Sequence, residues 1–154
     1  MARFHFTLET VLRQRERTEQ AAQRNLAIAR QALVPLEEKL RELDTLRKNA
    51  DDDLRSRLVG PINLNFIGGH RRFIVSLETQ VLAVAKEMAA AQILVDKAQA
   101  ALMLAARAKK AIETLREKQL ERFNEAQAKI ETDNLDEAGM QIAYHNLTED
   151  QDAS

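Results

Sequence analysis

Cysteine is absent from all 154 residues. That excludes disulfides, thiolate metal sites and a cysteine nucleophile together, and it suits a reducing compartment. Glycine occurs four times and proline twice, too few for a fold rich in turns. Aromatic residues make up 4% and tryptophan is missing, so a broad globular core has little to build on. Neither charge sign dominates. The 23 Lys and Arg against 24 Asp and Glu leave a formal charge of −1, with no global pull toward nucleic acid or an anionic membrane. Long hydrophobic runs are missing too. The longest stretch without formal charge, Leu58–Gly69, is broken by Gly60, Pro61, Asn63 and Asn65, and it is far shorter than the ~20 residues of a membrane span. Met1-Ala2-Arg3-Phe4 leads into mixed charge rather than an apolar run, so no secretory leader is expected. A soluble, cytoplasmic protein is the expectation.

What remains is Ala, Leu, Glu, Lys, Arg and Gln, the composition of long helices. The first helix is expected over about residues 8–58, with Thr7 as its cap and Glu9 at the positive helix end. Its apolar positions step by four and three: Ala22, Leu26, Ala29, Leu33, Leu36, Leu40, Leu43, Ala50 and Leu54, with Arg47 the one polar member. A sustained period of 3.5 marks a left-handed coiled coil. Pro35 falls inside this run. It removes one backbone donor, and a local kink is expected there.

Residues 59–63, Val-Gly-Pro-Ile-Asn, form the turn signal. Gly60 permits positive φ, Pro61 blocks continuation and Asn63 can cap the next helix. The second helix is expected over about residues 64–145, with weak first turns at Gly68-Gly69. Its stripe runs from Ile74 through Leu77, Val81, Val84, Met88, Val95 and Leu102 to Ile130, interrupted at Lys109, Arg116 and Gln119. Two such stripes joined by a short turn fold back on each other. The predicted fold is all-α: a long antiparallel two-helix coiled coil, an α-hairpin whose second helix is the longer. It forms a single domain over residues 1–146, with a disordered acidic tail at 147–154.

The arms are unequal. Folding about Pro61 leaves everything past about Leu120 without a partner, yet that overhang carries Phe123, Ile130, Leu135 and Met140. Charge is divided as well. Residues 131–154 hold seven acids and no Lys or Arg. The basic excess gathers at the open end, with Arg13, Arg15 and Arg17 on the first helix and Arg107, Lys109, Lys110, Arg116, Lys118 and Arg122 on the second. Three readings of that end stay open: pairing with Glu113, Glu117 and Glu121 one turn away, docking of an acidic protein surface, or nucleic-acid binding, for which interleaved aromatics are lacking. Near the turn, Asp51-Asp52-Asp53 is expected to lie close to Arg71-Arg72 across the hairpin.

No catalytic constellation is visible. His5, His70 and His145 are scattered without the spacing of a zinc helix. Gly68-Gly69 belongs to no phosphate loop. The paired carboxylates Glu37-Glu38 and Asp51–Asp53 sit on a solvated surface where nothing would tune them for acid–base work. The expectation is a chain that is not an enzyme, with no cofactor, metal or small-molecule substrate, which works by docking onto other proteins.

The opening Phe4-His5-Phe6-Thr7-Leu8-Glu9-Thr10-Val11-Leu12-Arg13, followed by Arg17, Glu19 and Ala22, resembles that of the flagellar export protein FliJ family. Phe73-Ile74-Val75-Ser76-Leu77-Glu78 resembles the family's second helix just after the turn, and Leu135-Asp136-Glu137-Ala138 its C-terminal element. The order and spacing of these segments cover nearly the whole chain. Gly139 departs from the pattern, interrupting the last element where helix would continue.

The resemblance implies a component of the bacterial flagellar type III export apparatus, a coiled coil similar to the central stalk of rotary ATP synthases. The implied partners are the hexameric export ATPase, whose assembly and activity the stalk promotes, the membrane-embedded export gate and the export chaperones. The implied place is the cytoplasm, peripheral to the inner membrane. By position, Phe4, Phe6, Leu8, Leu12, Arg13, Phe123, Ile130, Leu135, Asp136 and Glu137 become candidates for docking the ATPase. Leu43, Leu46, Phe73 and Leu77 become candidates for contacting the gate. Of the last pair, Leu77 lies on the expected seam and Phe73 beside it. Alternatives are the equivalent stalk of a virulence type III system and a coiled-coil adaptor or nucleic-acid-associated protein using the basic end.

Overall fold

The computed structural model describes residues 2–152. It holds two helices, α1 (Glu9–Arg57) and α2 (Leu64–Asp152), of 49 and 89 residues. This is the expected all-α antiparallel hairpin, with the longer arm second. Contacts divide the chain into two compact units, one of residues 17–106 and one of residues 1–16 with 107–154.

The larger unit contains the turn. α1 ends at Arg57, and Gly60 takes φ 91°, a conformation that a β-carbon disfavours. Asn63 caps α2 as its side chain suggested. Its Oδ1 accepts the amides of Asn65 (3.1 Å) and Phe66 (3.2 Å), and its carbonyl accepts that of Ile67 (3.1 Å). This cap starts the helix at Leu64 despite Gly68-Gly69. Pro35 is accommodated within continuous α-helix. Asp53 pairs with Arg57 along its own helix (3.5 Å), rather than reaching across to Arg71 or Arg72.

The heptad stripes become the core. Leu43, Ala50, Leu77 and Val84 form a buried cluster, with Leu40, Ile74, Val81 and Met88 packed against it. Ala22, Leu26, Val95 and Ala105 continue the buried line. Each buried Leu or Val contributes about 1.5–3 kcal/mol and alanine far less, so stability is concentrated where large side chains meet. Arg47 interrupts the seam as expected. Its guanidinium reaches Asp44 at 3.7 Å, while its Nε is buried without a partner.

In the smaller unit, residues 2–8 precede α1 as non-helical chain. The Glu9 amide donates to the Phe6 carbonyl (3.3 Å), so closure of the first turn falls to the backbone where the sequence pointed to the Thr7 hydroxyl. Phe6 and Leu12 are buried. Phe4 lies against Phe123, ring centroids 5.6 Å apart. Phe123 is therefore covered by the N-terminal segment, which corrects the expectation that everything past Leu120 is unpartnered: extended chain spans more length per residue than helix and reaches further along α2.

Helix runs through Gly139 and on to Asp152, into the acidic tail of residues 147–154. Ala153 and Ser154, the last of that tail, lie outside the described residues. A β-carbon at Gly139 would meet nothing within 4 Å. Gly139→Ala should therefore stabilise this part of α2 by about 1 kcal/mol. Amide exchange across residues 131–149 should slow roughly fivefold, since 1 kcal/mol is about a factor of five. Unchanged exchange would mean that the glycine does not limit the helix.

Candidate docking surfaces

The candidate residues for ATPase docking lie in the smaller unit and fall into two groups. Phe6 and Leu12 are 4% and 7% exposed, and Leu8 and Phe4 are half-buried. These side chains build the end of the hairpin rather than present a surface. Arg13 is exposed. It joins Arg3, Phe4, His5, Glu9 and Arg116 around a cleft of about 460 Å³. Glu9 holds Arg116 at 3.5 Å across the two helices, a half-exposed pair worth at most about 1 kcal/mol. With one carboxylate among Arg3, Arg13 and Arg116, the cleft favours an anionic visitor.

The second group is the overhang. Ile130, Leu135, Met140, Ile142, Tyr144 and Leu147 are each more than half exposed, and Asp136 and Glu137 are exposed among them. One side of the helix gathers Met140, Tyr144 and Thr148 with Glu137, Gln141 and His145 around a groove. At 3.6 residues per turn Ile130, Met140, Tyr144 and Leu147 share one side of the helix, with Leu135 and Ile142 on the opposite side. Met140 was visible in the sequence as an apolar overhang residue. Tyr144 and Leu147 were not singled out, because the helix was expected to end around them.

The gate candidates lie in the larger unit. Leu43 and Leu77 are core residues, 5% and 3% exposed, whereas Leu46 and Phe73 are close to half exposed. The structure adds neighbours that the sequence did not reveal. The rings of Phe66 and His70 stack with centroids 5.4 Å apart, and Phe73 lies 6.3 Å beyond. The Arg57 guanidinium covers Phe66 at 4.2 Å. His70 Nε2 donates to the Ala50 carbonyl at 2.6 Å. A carbonyl only accepts, so the ring carries a proton on Nε2. This bond stitches α2 to α1 and fixes an aromatic group next to the turn, where Phe73 offers its outer face.

Among the described residues, no three His, Cys, Asp or Glu side chains gather closely enough to hold a metal ion. α2 does contain a stretch of mean hydropathy 1.2, long and apolar enough to cross a membrane by length and composition, of which 11% is buried. Its apolarity has two sources: seam residues such as Val95 and Ala105, and outward residues such as Ile93, Leu94 and Leu104.

Two helices packed along a heptad seam, with exposed apolar and charged patches, define an α-helical coiled-coil protein. The match to a known family is equally extensive. Residues 4–148 match the family of the flagellar FliJ protein, and the chain belongs to that family. It is thus a component of flagellar type III protein export. No curated protein and no solved structure is similar enough to match.

Proposed function

We propose that the chain acts as the central stalk of the export ATPase ring, promoting ring assembly and ATP turnover and linking the ring to the export gate and the chaperones. The observation that carries this reading is the set of exposed apolar and acidic side chains of α2 beyond Phe123. A helix that leaves Ile130, Leu135, Met140 and Tyr144 uncovered gains by inserting into a partner that buries them. The mechanism is mechanical: an asymmetric coiled coil inside a symmetric ring makes different contacts with each subunit, and the ATPase does the chemistry. Phe73 and Leu46 are the gate-facing residues of this reading, with Leu77 and Leu43 holding them in place. The working location is the cytoplasmic side of the inner membrane.

The test is a pull-down against the purified export ATPase with ATP turnover recorded, comparing the full chain with one ended after Lys129. That end keeps the Phe4–Phe123 contact and removes the exposed face. Hot-spot side chains are worth about 2 kcal/mol or more each. Losing even one of them should weaken binding about 30-fold and abolish stimulation. Equal binding by both forms would move the contact to the basic cleft around Arg3 and Arg13. No binding by either, at low as well as physiological salt, would remove the ATPase from the proposal.

A further inference from the structure

We infer that α2 is also a self-association surface: two copies pair antiparallel through residues 107–149, each covering the other's exposed acidic segment with its own basic one. The argument begins with the order of charge along one helix. Residues 107–129 carry seven Lys and Arg against four Glu, while residues 131–149 carry five acids and no Lys or Arg. Arg107, Lys110, Lys118, Arg122 and Lys129 are exposed, as are Glu131, Asp133, Asp136 and Glu137. The change of sign falls at Lys129–Ile130.

A helix that is basic and then acidic is complementary to itself when reversed. Parallel pairing of two copies sets like charge on like. Antiparallel pairing centred within the acidic segment does the same there. Antiparallel pairing centred near Ile130 sets both acidic halves on basic halves at once. This arrangement has a two-fold axis and closes at two copies instead of growing into a filament.

The apolar residues agree with that register. Ile130 sits at the centre, 51% exposed. Met140 and Tyr144 lie on the acidic side and Leu115 on the basic side, all exposed. None of them is covered within the chain, so pairing removes them from water on both copies. The shared length, about 65 Å at 1.5 Å per residue, is ample for the roughly 800 Å² per partner of a stable interface. At 3.6 residues per turn, Phe123 lies about 20° around the helix from Ile130, about 60° from Tyr144 and about 80° from Leu115. The Phe4 ring on it therefore borders one edge of this face, and the second copy packs on the side that carries Leu115, Met140 and Tyr144. Pairing does hide the face assigned above to the ATPase. Where that assignment holds, the two-copy form is a reserve that must separate before docking.

Sedimentation of the full chain tests the pairing without any other protein, so its result is independent of ATPase binding. At about 20 µM in about 50 mM NaCl the chain should run as a two-copy species, with affinity falling at least about tenfold by about 500 mM as salt screens the charges. One variant carries Lys118→Glu, Arg122→Glu and Lys129→Glu, the other Asp133→Lys, Asp136→Lys and Glu137→Lys. Helix content by circular dichroism checks that both fold. Each alone should be monomeric, and an equal mixture should restore the two-copy species. A wild-type monomer at low salt overturns the inference, as does pairing that neither variant disturbs or a mixture that stays monomeric. Wild-type chain that remains monomeric but sediments with phosphatidylglycerol vesicles assigns the basic segment to lipid instead, and also overturns it.

Discussion

Leu77→Ala is expected to lower the unfolding free energy by about 3 kcal/mol. Leu77 is 3% exposed and belongs to the cluster with Leu43, Ala50 and Val84. The seam is a single narrow line, and its alanine positions cannot expand to fill the space a leucine leaves, so the cavity persists. Phe73→Ala four residues earlier should cost well under 1 kcal/mol of stability, because about half of that side chain is already in water. The pair separates two roles that the sequence places side by side. Urea unfolding followed by circular dichroism reads the first effect, and binding to the gate's cytoplasmic domain reads the second. If Leu77→Ala weakens gate binding while leaving the urea midpoint in place, Leu77 touches the partner and the seam assignment is wrong.

Phe6→Ala carries the second large effect, about 3 kcal/mol, but confined to the smaller unit. Phe6 is 4% exposed and its carbonyl closes the first turn of α1. Nearby Phe4 lies on Phe123, and Leu12 is the next buried residue. Phe6 and Leu12 are the buried side chains of residues 2–16, so losing this ring should release the segment without unfolding the larger unit. Trypsin reports it directly. Cleavage after Arg13 and Arg15, which needs local opening, should accelerate roughly 100-fold, as 3 kcal/mol implies when opening is a fast equilibrium. Cleavage at the wild-type rate would show that Phe6 adds little to holding the segment.

How legible each part was follows from how local its cause is. The period of 3.5 is a property of neighbours on one helix, and the stripes from Ala22 to Leu54 and from Ile74 to Ile112 appear in the structure without an exposed member. The turn is equally local: Gly60 for positive φ and Asn63 for the cap need only two or three residues. Past Ile112 the periodic pattern misleads. Arg116, Ala126 and Ile130 hold stripe positions but are exposed, because periodicity says which face is apolar and not whether anything covers it.

By itself, then, the amino-acid sequence determined the two helices, their turn, the antiparallel seam and the family. All of these follow from short-range spacing and from segment order. Only the tertiary structure decided which candidate residues are surface and which are scaffold. It buried Phe6, Leu12, Leu43 and Leu77, left Leu46, Phe73, Leu135 and Glu137 in water, and laid Phe4 on Phe123. The physical reason is that exposure depends on a partner element distant in the chain, as Phe123 is from Phe4, and no spacing within one helix encodes whether that partner arrives.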